Sequence, residues 1–251
     1  MNTAEGPAMV ELSWAAFALA AAAVTLAALV QSGAGLGFGL IAAPLLALVD
    51  PAFIPGTILF LGTTASALAT LRERRAVNPR LTLAGLSGRL PGAIIAAAVL
   101  TAVSPALFQL LFAVLILAAV ALSLKSPKVP PTGPIVFVAG VVSGVMGTLT
   151  AVGAPPFGIA LQHAAAAELR ATLNAVLFLG ACLSMAMLAL FGAFGVADIL
   201  RGAALVPFAV LGFALSGRLV RHPEAPKLVR PAVLALCVGA SVLLIARALL
   251  A

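Results

Sequence analysis

Two long apolar segments of this chain are each broken by small residues and followed by proline, and the two breaks match at a spacing of 111 residues. The first break holds Ser32-Gly33 and precedes Pro44, and the second holds Ser143-Gly144 and precedes Pro155. Two more proline pairs keep a similar spacing: Pro91 with Pro207, and Pro105 with Pro226. Paired, broken apolar segments are typical of secondary transporters built from repeats, whose binding site lies at the breaks.

The composition excludes a water-soluble domain of this length. Hydrophobic residues make up 63% of the 251 residues and charged residues only 8%, whereas soluble chains are close to half apolar and a quarter charged. The composition therefore predicts a polytopic membrane protein. The net charge of +7 is therefore interpreted as an orientation bias of Lys and Arg, and no nucleic-acid partner is expected.

A spanning helix needs about 20 apolar residues, and each half of the chain supplies three such runs. They are 53–71, 81–102, 105–124, 171–191, 199–220 and 229–249. Each half also begins with a stretch too long for one span, 14–49 and 134–167, which we interpret as a membrane hairpin of a helix, an unwound turn and a shorter helix. We predict an all-α fold with a first transmembrane repeat over 1–125, a proline-rich connector over 126–133 and a second repeat over 134–251.

The basic residues predict how these repeats lie in the bilayer. The loops at 72–80, 125–128, 168–170 and 218–230 hold 11 of the 14 lysines and arginines, so they should all be cytoplasmic. All four loops lie on the cytoplasmic side if the first hairpin opens to the outside and the second opens to the cytoplasm. The two repeats then have inverted topology, and both termini are non-cytoplasmic.

The types of residue that catalysis or metal transport requires are missing from the predicted spans. All seven carboxylates lie at span ends or in loops, and no cluster of His, Cys, Asp or Glu has metal-ligand spacing. No paired nucleophile and base occurs. We therefore predict neither an enzyme nor a metal or cofactor site.

The first break offers groups that suit an anion: Gln31, Ser32, Gly33, Gly35 and Gly37. Glycine permits unusual backbone angles and close approach to a ligand. Free N–H groups at the start of the helix that follows carry partial positive charge. The alternative is tight helix packing, because small residues also let membrane helices touch.

The second break adds hydroxyl groups to glycines, and Asn174 in the following span is a weaker candidate. The candidate residues here are Ser143, Gly144, Gly147, Thr148, Thr150 and Gly153. The alternative is that the hydroxyls bond to their own helix backbone.

Arg89 lies about nine residues into its predicted span, and no acid in that span can neutralise it. A planar guanidinium fits a carboxylate or sulfonate with two parallel hydrogen bonds. The alternative is that Arg89 snorkels to the cytoplasmic headgroups.

The chain as a whole resembles the TauE/SafE family of sulfite and organosulfur anion transporters. The resemblance rests on the duplication, on Gly33-Ala34-Gly35-Leu36-Gly37-Phe38-Gly39 followed by Pro44, on Gly153-Ala154-Pro155-Pro156, and on the apolar runs after Pro105 and Pro226. It implies a multi-pass carrier of the bacterial inner membrane that exports sulfite, a sulfonate or a related small anion.

We accordingly expect an alternating-access carrier whose substrate lies between the two breaks. An anion channel, or a carrier of another small carboxylate or anion, remains the alternative. A small anion and the lipid bilayer are the expected partners, and a coupling proton or sodium ion and a homodimer are left open.

Overall fold

The computed structural model of the chain describes residues 13–34, 37–124, 129–220 and 225–250. Within these ranges the chain is helical and contains no strand. The ten α-helices are α1 (Trp14–Ala34), α2 (Phe38–Val49), α3 (Gly56–Glu73), α4 (Pro79–Ala102), α5 (Pro105–Leu124), α6 (Gly133–Thr150), α7 (Ala154–Ala160), α8 (Ala166–Leu190), α9 (Val196–Val220) and α10 (Ala225–Leu250). The predicted all-α fold is confirmed.

Six of the described helices are long and apolar enough to cross a membrane: α1, α4, α5, α6, α8 and α9. The two predicted spans outside this set are α3, which ends with Arg72 and Glu73, and α10, whose described apolar part is the shorter Pro231–Ala246. The chain is therefore a polytopic membrane protein.

The first predicted hairpin is formed by α1 and α2. Helix α1 ends at Ala34, and Gly37, which precedes the first residue of α2, has a positive φ of 88°. A side chain at this φ would be strained, so glycine is required here. Nine of the 12 residues of α2 are buried, so this helix is enclosed by protein.

The second hairpin is formed by α6 and α7, but its break lies later than predicted. Residues 143–150 continue α6 as a regular helix, and the chain turns at 151–153, where Ala151 adopts a left-handed conformation with φ of 59°. The predicted break at Ser143–Thr148 is therefore wrong. Gly153, which precedes α7, corresponds to Gly37, which precedes α2, at a spacing of 116 residues and not 111.

Helix packing explains why the small residues of α6 do not unwind it. Gly140 lies against Gly88, and Gly144 lies against Gly92, so closely that a Cβ at either position of α6 would meet the backbone of α4. Small residues let two membrane helices approach in this way. For Gly144, the packing alternative is the one that the structure supports.

The helix pairs follow a regular exchange pattern. Helix α1 packs on α9 as α6 packs on α4, and α3 packs on α9 as α8 packs on α4. The pairs α3 with α8 and α5 with α10 join counterparts directly. If each helix of α1–α5 is exchanged with its counterpart in α6–α10, this set of contacts is therefore unchanged.

Residue contacts give the helix directions. Along α1, Phe17 contacts Phe208, and Ser32 shares a hydrogen-bond partner with Ser216, so α1 and α9 are parallel. Glu73 at the end of α3 pairs with Arg170 at the start of α8 at 3.2 Å, so α3 and α8 are antiparallel. Together with the parallel pair α4 and α6, these contacts make α1, α3 and α9 run one way, and α4, α6 and α8 the other.

Candidate functional site

The two hairpin turns meet in the interior. A Cβ on Gly37 would lie 2.6 Å from the Cβ of Ala154, and a Cβ on Gly39 would overlap the carbonyl of Ala151. Beside this contact is a cavity of about 30 Å³, which has room for one or two water molecules. Its polar lining comes from Gln31, Ser66, Arg89 and the backbone of the two turns.

Arg89 is the charged group at this cavity. It lies about 15 Å along α4 from the start of that helix, and its side chain is only 2% exposed. An arginine that snorkelled would carry its guanidinium to the surface, so the snorkelling alternative is wrong. A buried, unpaired guanidinium costs several kcal/mol, and the surrounding groups must be arranged to tolerate it.

Two hydroxyl groups hold the guanidinium in place. Arg89 Nη1 donates to Ser143 Oγ at 3.0 Å, and Ser143 in turn donates to the carbonyl of Gly153 at 2.6 Å. Arg89 Nη2 donates to Ser184 Oγ at 3.4 Å, and Ser184 donates to the carbonyl of Gly180 at 2.9 Å. Arg89 Nε is buried without a hydrogen-bond partner. The guanidinium is thus oriented by neutral groups and keeps donor capacity in reserve.

Three glycines, one in α6, one in the turn before α7 and one in α8, form a cradle around this side chain. A Cβ on Gly147 would lie 3.0 Å from Arg89 Nη2, and one on Gly153 would lie 2.9 Å from Nη1. A Cβ on Gly180 would overlap Nε and leave only 2.6 Å to Cζ. Any side chain at Gly180 would therefore displace the guanidinium.

Gln31 closes the opposite side of the cavity. Its Oε1 accepts a hydrogen bond from the backbone N–H of Phe38, the first residue of α2. Its Nε2 donates to Ser66 Oγ at 2.7 Å and to Asn174 Oδ1 at 3.3 Å. One amide therefore caps the second helix of the hairpin and ties it to α3 and α8.

The two short helices are unequal as anion-binding elements. Helix α2 has 12 residues and begins with Phe38, Gly39 and Leu40, which all carry N–H groups. Helix α7 has seven residues, and Pro155 and Pro156 remove two N–H groups from its first turn. Positive charge at the second turn therefore comes from Arg89, and at the first turn from the helix terminus.

The structure separates the predicted residues into three sets. Those that line the cavity are Gln31, Gly37, Arg89, Gly147 and Gly153. Those that bond to a lining residue, directly or through Ser184, are Ser143, Asn174 and Thr148. Those elsewhere in the described part of the chain are Ser32, Gly144 and Thr150. Gly33 belongs to the last turn of α1, and Gly35 lies outside the described residues.

The last set has other contacts. Thr150 donates to the carbonyl of Met146 at 2.7 Å and accepts from the N–H of Val152 at 3.2 Å, so its hydroxyl serves the local backbone. The carbonyl of Ser32 accepts from Arg72 Nη2 at 2.6 Å. Arg72, which the sequence assigns to orientation alone, therefore also holds the last turn of α1.

Ser66, Gly180 and Ser184 border the site, and the sequence analysis does not identify them. Each is a single small residue inside an apolar helix, where small residues commonly serve packing. A usable signal is the position of Ser66 and Ser184 far from any loop, because a hydroxyl deep in a span needs a partner.

The described carboxylates all lie at helix ends, as predicted. Asp50 follows α2, Glu73 ends α3, and Glu168 and Asp198 lie in the first turns of α8 and α9. In the described part of the chain the one ion pair joins Arg170 to Glu73. The guanidinium of Arg89 therefore has no carboxylate partner among these residues.

Comparison with protein families finds one match that covers most of the chain. The family model described as "Sulfite exporter TauE/SafE" matches residues 20–244. That range includes every residue of the cavity. Comparison with curated proteins gives no match, and comparison with solved structures gives none.

Proposed function

Because the chain belongs to the sulfite exporter TauE/SafE family, we propose that it is a secondary transporter that exports a small sulfur-containing anion, either sulfite or a sulfonate. The single observation that carries the proposal is Arg89, a cation that is 2% exposed and has no carboxylate partner among the described residues. A charge in this position is tolerated when a mobile counter-ion can reach it, and an anionic substrate is such a counter-ion.

The donor set favours an oxyanion with several acceptor oxygens. Arg89 Nε is unpartnered, and its Nη2 makes only a long bond of 3.4 Å. These two donors form one edge of the guanidinium and can bind two oxygens side by side. In the N-terminal turn of α2, the N–H groups of Phe38 and Leu40 are already hydrogen-bonded. Gly39 lines the cavity in the same turn, and its N–H can take a third oxygen. Sulfite and sulfonates carry three oxygens on one sulfur, which matches this arrangement.

The size of the cavity supports alternating access. A volume of about 30 Å³ is too small for a sulfonate, so the substrate has to enter as the two hairpins separate. In this proposal the described conformation is a closed one, and each hairpin in turn opens a path to one side of the membrane.

The helix directions support an inverted repeat. The counterparts α1 and α6, α3 and α8, and α4 and α9 run in opposite directions, which is what inverted topology requires. The division into repeats 1–125 and 134–251 agrees with the packing exchange between α1–α5 and α6–α10. In the described part of the proline-rich connector, residues 129–132 lie between α5 and α6, and Gly133 begins α6.

The ends of the helices support one cytoplasmic face. The contacts Arg72–Ser216, Glu73–Arg170 and Asn78–Glu168 bring the predicted cytoplasmic loops 72–80 and 168–170 together with the last turns of α9 at one end of the bundle. We therefore propose a bacterial inner-membrane location with this end in the cytoplasm and both termini on the other side.

Flux in proteoliposomes tests the transport function. Purified protein should release preloaded sulfite or taurine at a rate that saturates with concentration, and imposed proton and sodium gradients should identify a coupling ion. Acetate, loaded in the same way, measures selectivity for sulfur anions. Single-channel currents would show that the protein is an anion channel and not a carrier. A flux of acetate faster than that of sulfite or taurine would favour a carboxylate carrier.

A further inference from the structure

A second concave region lies away from the cavity, on the outer surface between α4 and α8. A groove of about 480 Å³ runs along these helices, and its lining is almost entirely apolar. Leu83 and Leu179, two of its lining residues, are 69% and 42% exposed. The groove therefore opens toward the bilayer.

Arginines surround the end of this groove. Arg74 lines the groove itself, and a second pocket of about 710 Å³ holds Arg75 and Arg80. Val77 and Pro79 line both, so the two spaces are adjacent. The apolar groove thus lies beside three exposed arginines.

Two acids lie near these arginines. Glu73 is paired with Arg170 at 3.2 Å, whereas Glu168 lines the same pocket as Arg75 and Arg80 and accepts from the neutral amide of Asn78 at 2.8 Å. Within the described ranges, Arg74, Arg75 and Arg80 take part in no ion pair. Three arginines against one carboxylate therefore leave an excess of positive charge for a ligand at this end of the groove.

We propose that this groove with its basic pocket is a binding site for an anionic phospholipid such as phosphatidylglycerol. The acyl chain lies between α4 and α8, and the phosphate lies among Arg74, Arg75 and Arg80. Basic pockets between membrane helices on the cytoplasmic side bind anionic headgroups. A soluble anion would use the arginines but leave the exposed apolar groove uncovered, which is why a lipid is the expected occupant.

Lipid titration of the purified protein, followed by native mass spectrometry, tests this site. Phosphatidylglycerol and phosphatidylcholine with the same acyl chains are compared. A basic side chain near a charged surface contributes about fivefold in affinity. The wild type should therefore prefer phosphatidylglycerol, and the triple variant Arg74→Gln, Arg75→Gln, Arg80→Gln should lose affinity on the order of 100-fold.

Two further variants separate the parts of the proposal. Arg201→Gln removes a positive charge at the start of α9, away from the groove, and should keep the preference. Leu179→Trp fills the groove and should weaken the binding of both lipids. The site is rejected if the triple arginine variant keeps wild-type lipid affinity, or if glycerol 3-phosphate displaces the lipid at equal concentration. The site is also rejected if the groove variants change the oligomeric state of the protein and leave lipid binding unchanged. The groove would then be covered by a second copy of the chain and not by a lipid.

Discussion

A guanidinium in the middle of a helix must recover from its neighbours what it loses in hydration. Arg89 receives orientation from Ser143 and Ser184 and space from the glycine cradle, but these neutral groups supply no compensating charge. The cradle therefore fixes the position of the guanidinium, and under the proposed function the substrate anion balances its charge. The glycines matter at this scale because each one marks where a methyl group would collide with the guanidinium.

Gly180→Ala should weaken sulfite binding by at least tenfold. The new Cβ overlaps Arg89 Nε, and overpacking of this kind costs about 1–3 kcal/mol, which is released when Arg89 leaves its position. Gly158→Ala is the matched control, because a Cβ there meets nothing within 4 Å. The dissociation constants of the two variants are compared by calorimetry, and equal constants would remove the cradle from the account.

Single residues could be predicted from the sequence where their chemistry contrasts with their surroundings, as at Arg89, or where they lie at a predicted break, as Gly37 and Gly153 do. Arg89 could be identified because a charge inside an apolar run has few purely structural explanations. Gly180 and Ser184 could not be identified from the sequence, because a small residue inside a membrane helix does not indicate which residues it contacts. The contact between Gly180 and Arg89 joins two helices, and nothing local in either helix encodes it.

The hairpins form the next scale. In both, a long helix ends and a shorter helix follows. The residue with positive φ is Gly37 before α2 in the first hairpin and Ala151 in the turn before α7 in the second. The first hairpin ends in a helix terminus capped by Gln31, and the second is held at the guanidinium through Ser143. The two hairpins therefore bring different kinds of positive potential to the same cavity.

Gln31→Glu should abolish measurable anion binding while the protein stays folded. The carboxylate can still accept from the N–H of Phe38, but it brings a negative charge into the cavity that Arg89 also lines. Binding of the substrate is then opposed by like charge. Gln109→Glu is the same change at an exposed position of α5 and should have no effect.

Thermal-shift titration with sulfite measures both variants, because a ligand stabilises the folded state by mass action. Unchanged stabilisation by sulfite in Gln31→Glu would show that the anion does not enter this cavity.

The elements themselves were largely predictable from the sequence. Apolar length and the positions of charge gave the spans, and the glycines before Phe38 gave the first break. The second break was misplaced because Gly140 and Gly144 look like a glycine-rich turn but form a close contact with α4. Only the position of the partner helix separates these two uses of glycine.

At the scale of the whole molecule, the packing exchange places the two hairpin turns against each other. Helices α3 and α8 pack together as counterparts, and the hairpins lie beside them. A site formed at the meeting of two related units is well suited to alternating access, because rocking one unit against the other opens either side. Sequence duplication predicted two units, but the contact between their turns required the folded chain.

The proposed inverted topology predicts which helix ends share a face. Single cysteines at Ala102 and Gly195 should react with a membrane-impermeant maleimide from outside, and one at Ala167 should react only after permeabilisation. Cys182 and Cys237 are replaced by alanine as background, since both thiols are free. Labelling of positions 102 and 195 from opposite faces would contradict the inverted topology.

The central claim is that Arg89 binds the transported anion, and the equilibrium dissociation constant for sulfite tests it most directly. It is measured for wild type, Arg89→Ala, Arg89→Lys and the control Arg201→Lys, whose arginine bonds to the Ala52 carbonyl near a helix end. All variants are first checked for wild-type unfolding temperature and monodispersity.

A desolvated charge-assisted hydrogen bond is worth roughly 1.5–3 kcal/mol, so Arg89→Ala should bind sulfite at least tenfold more weakly than wild type. Arg89→Lys should recover only part of this loss, because an ammonium group lacks the planar fork, and Arg201→Lys should bind normally. If Arg89→Ala does not fold, Arg89→Lys decides the question. Wild-type affinity in a folded Arg89 variant, alanine or lysine, would contradict the account.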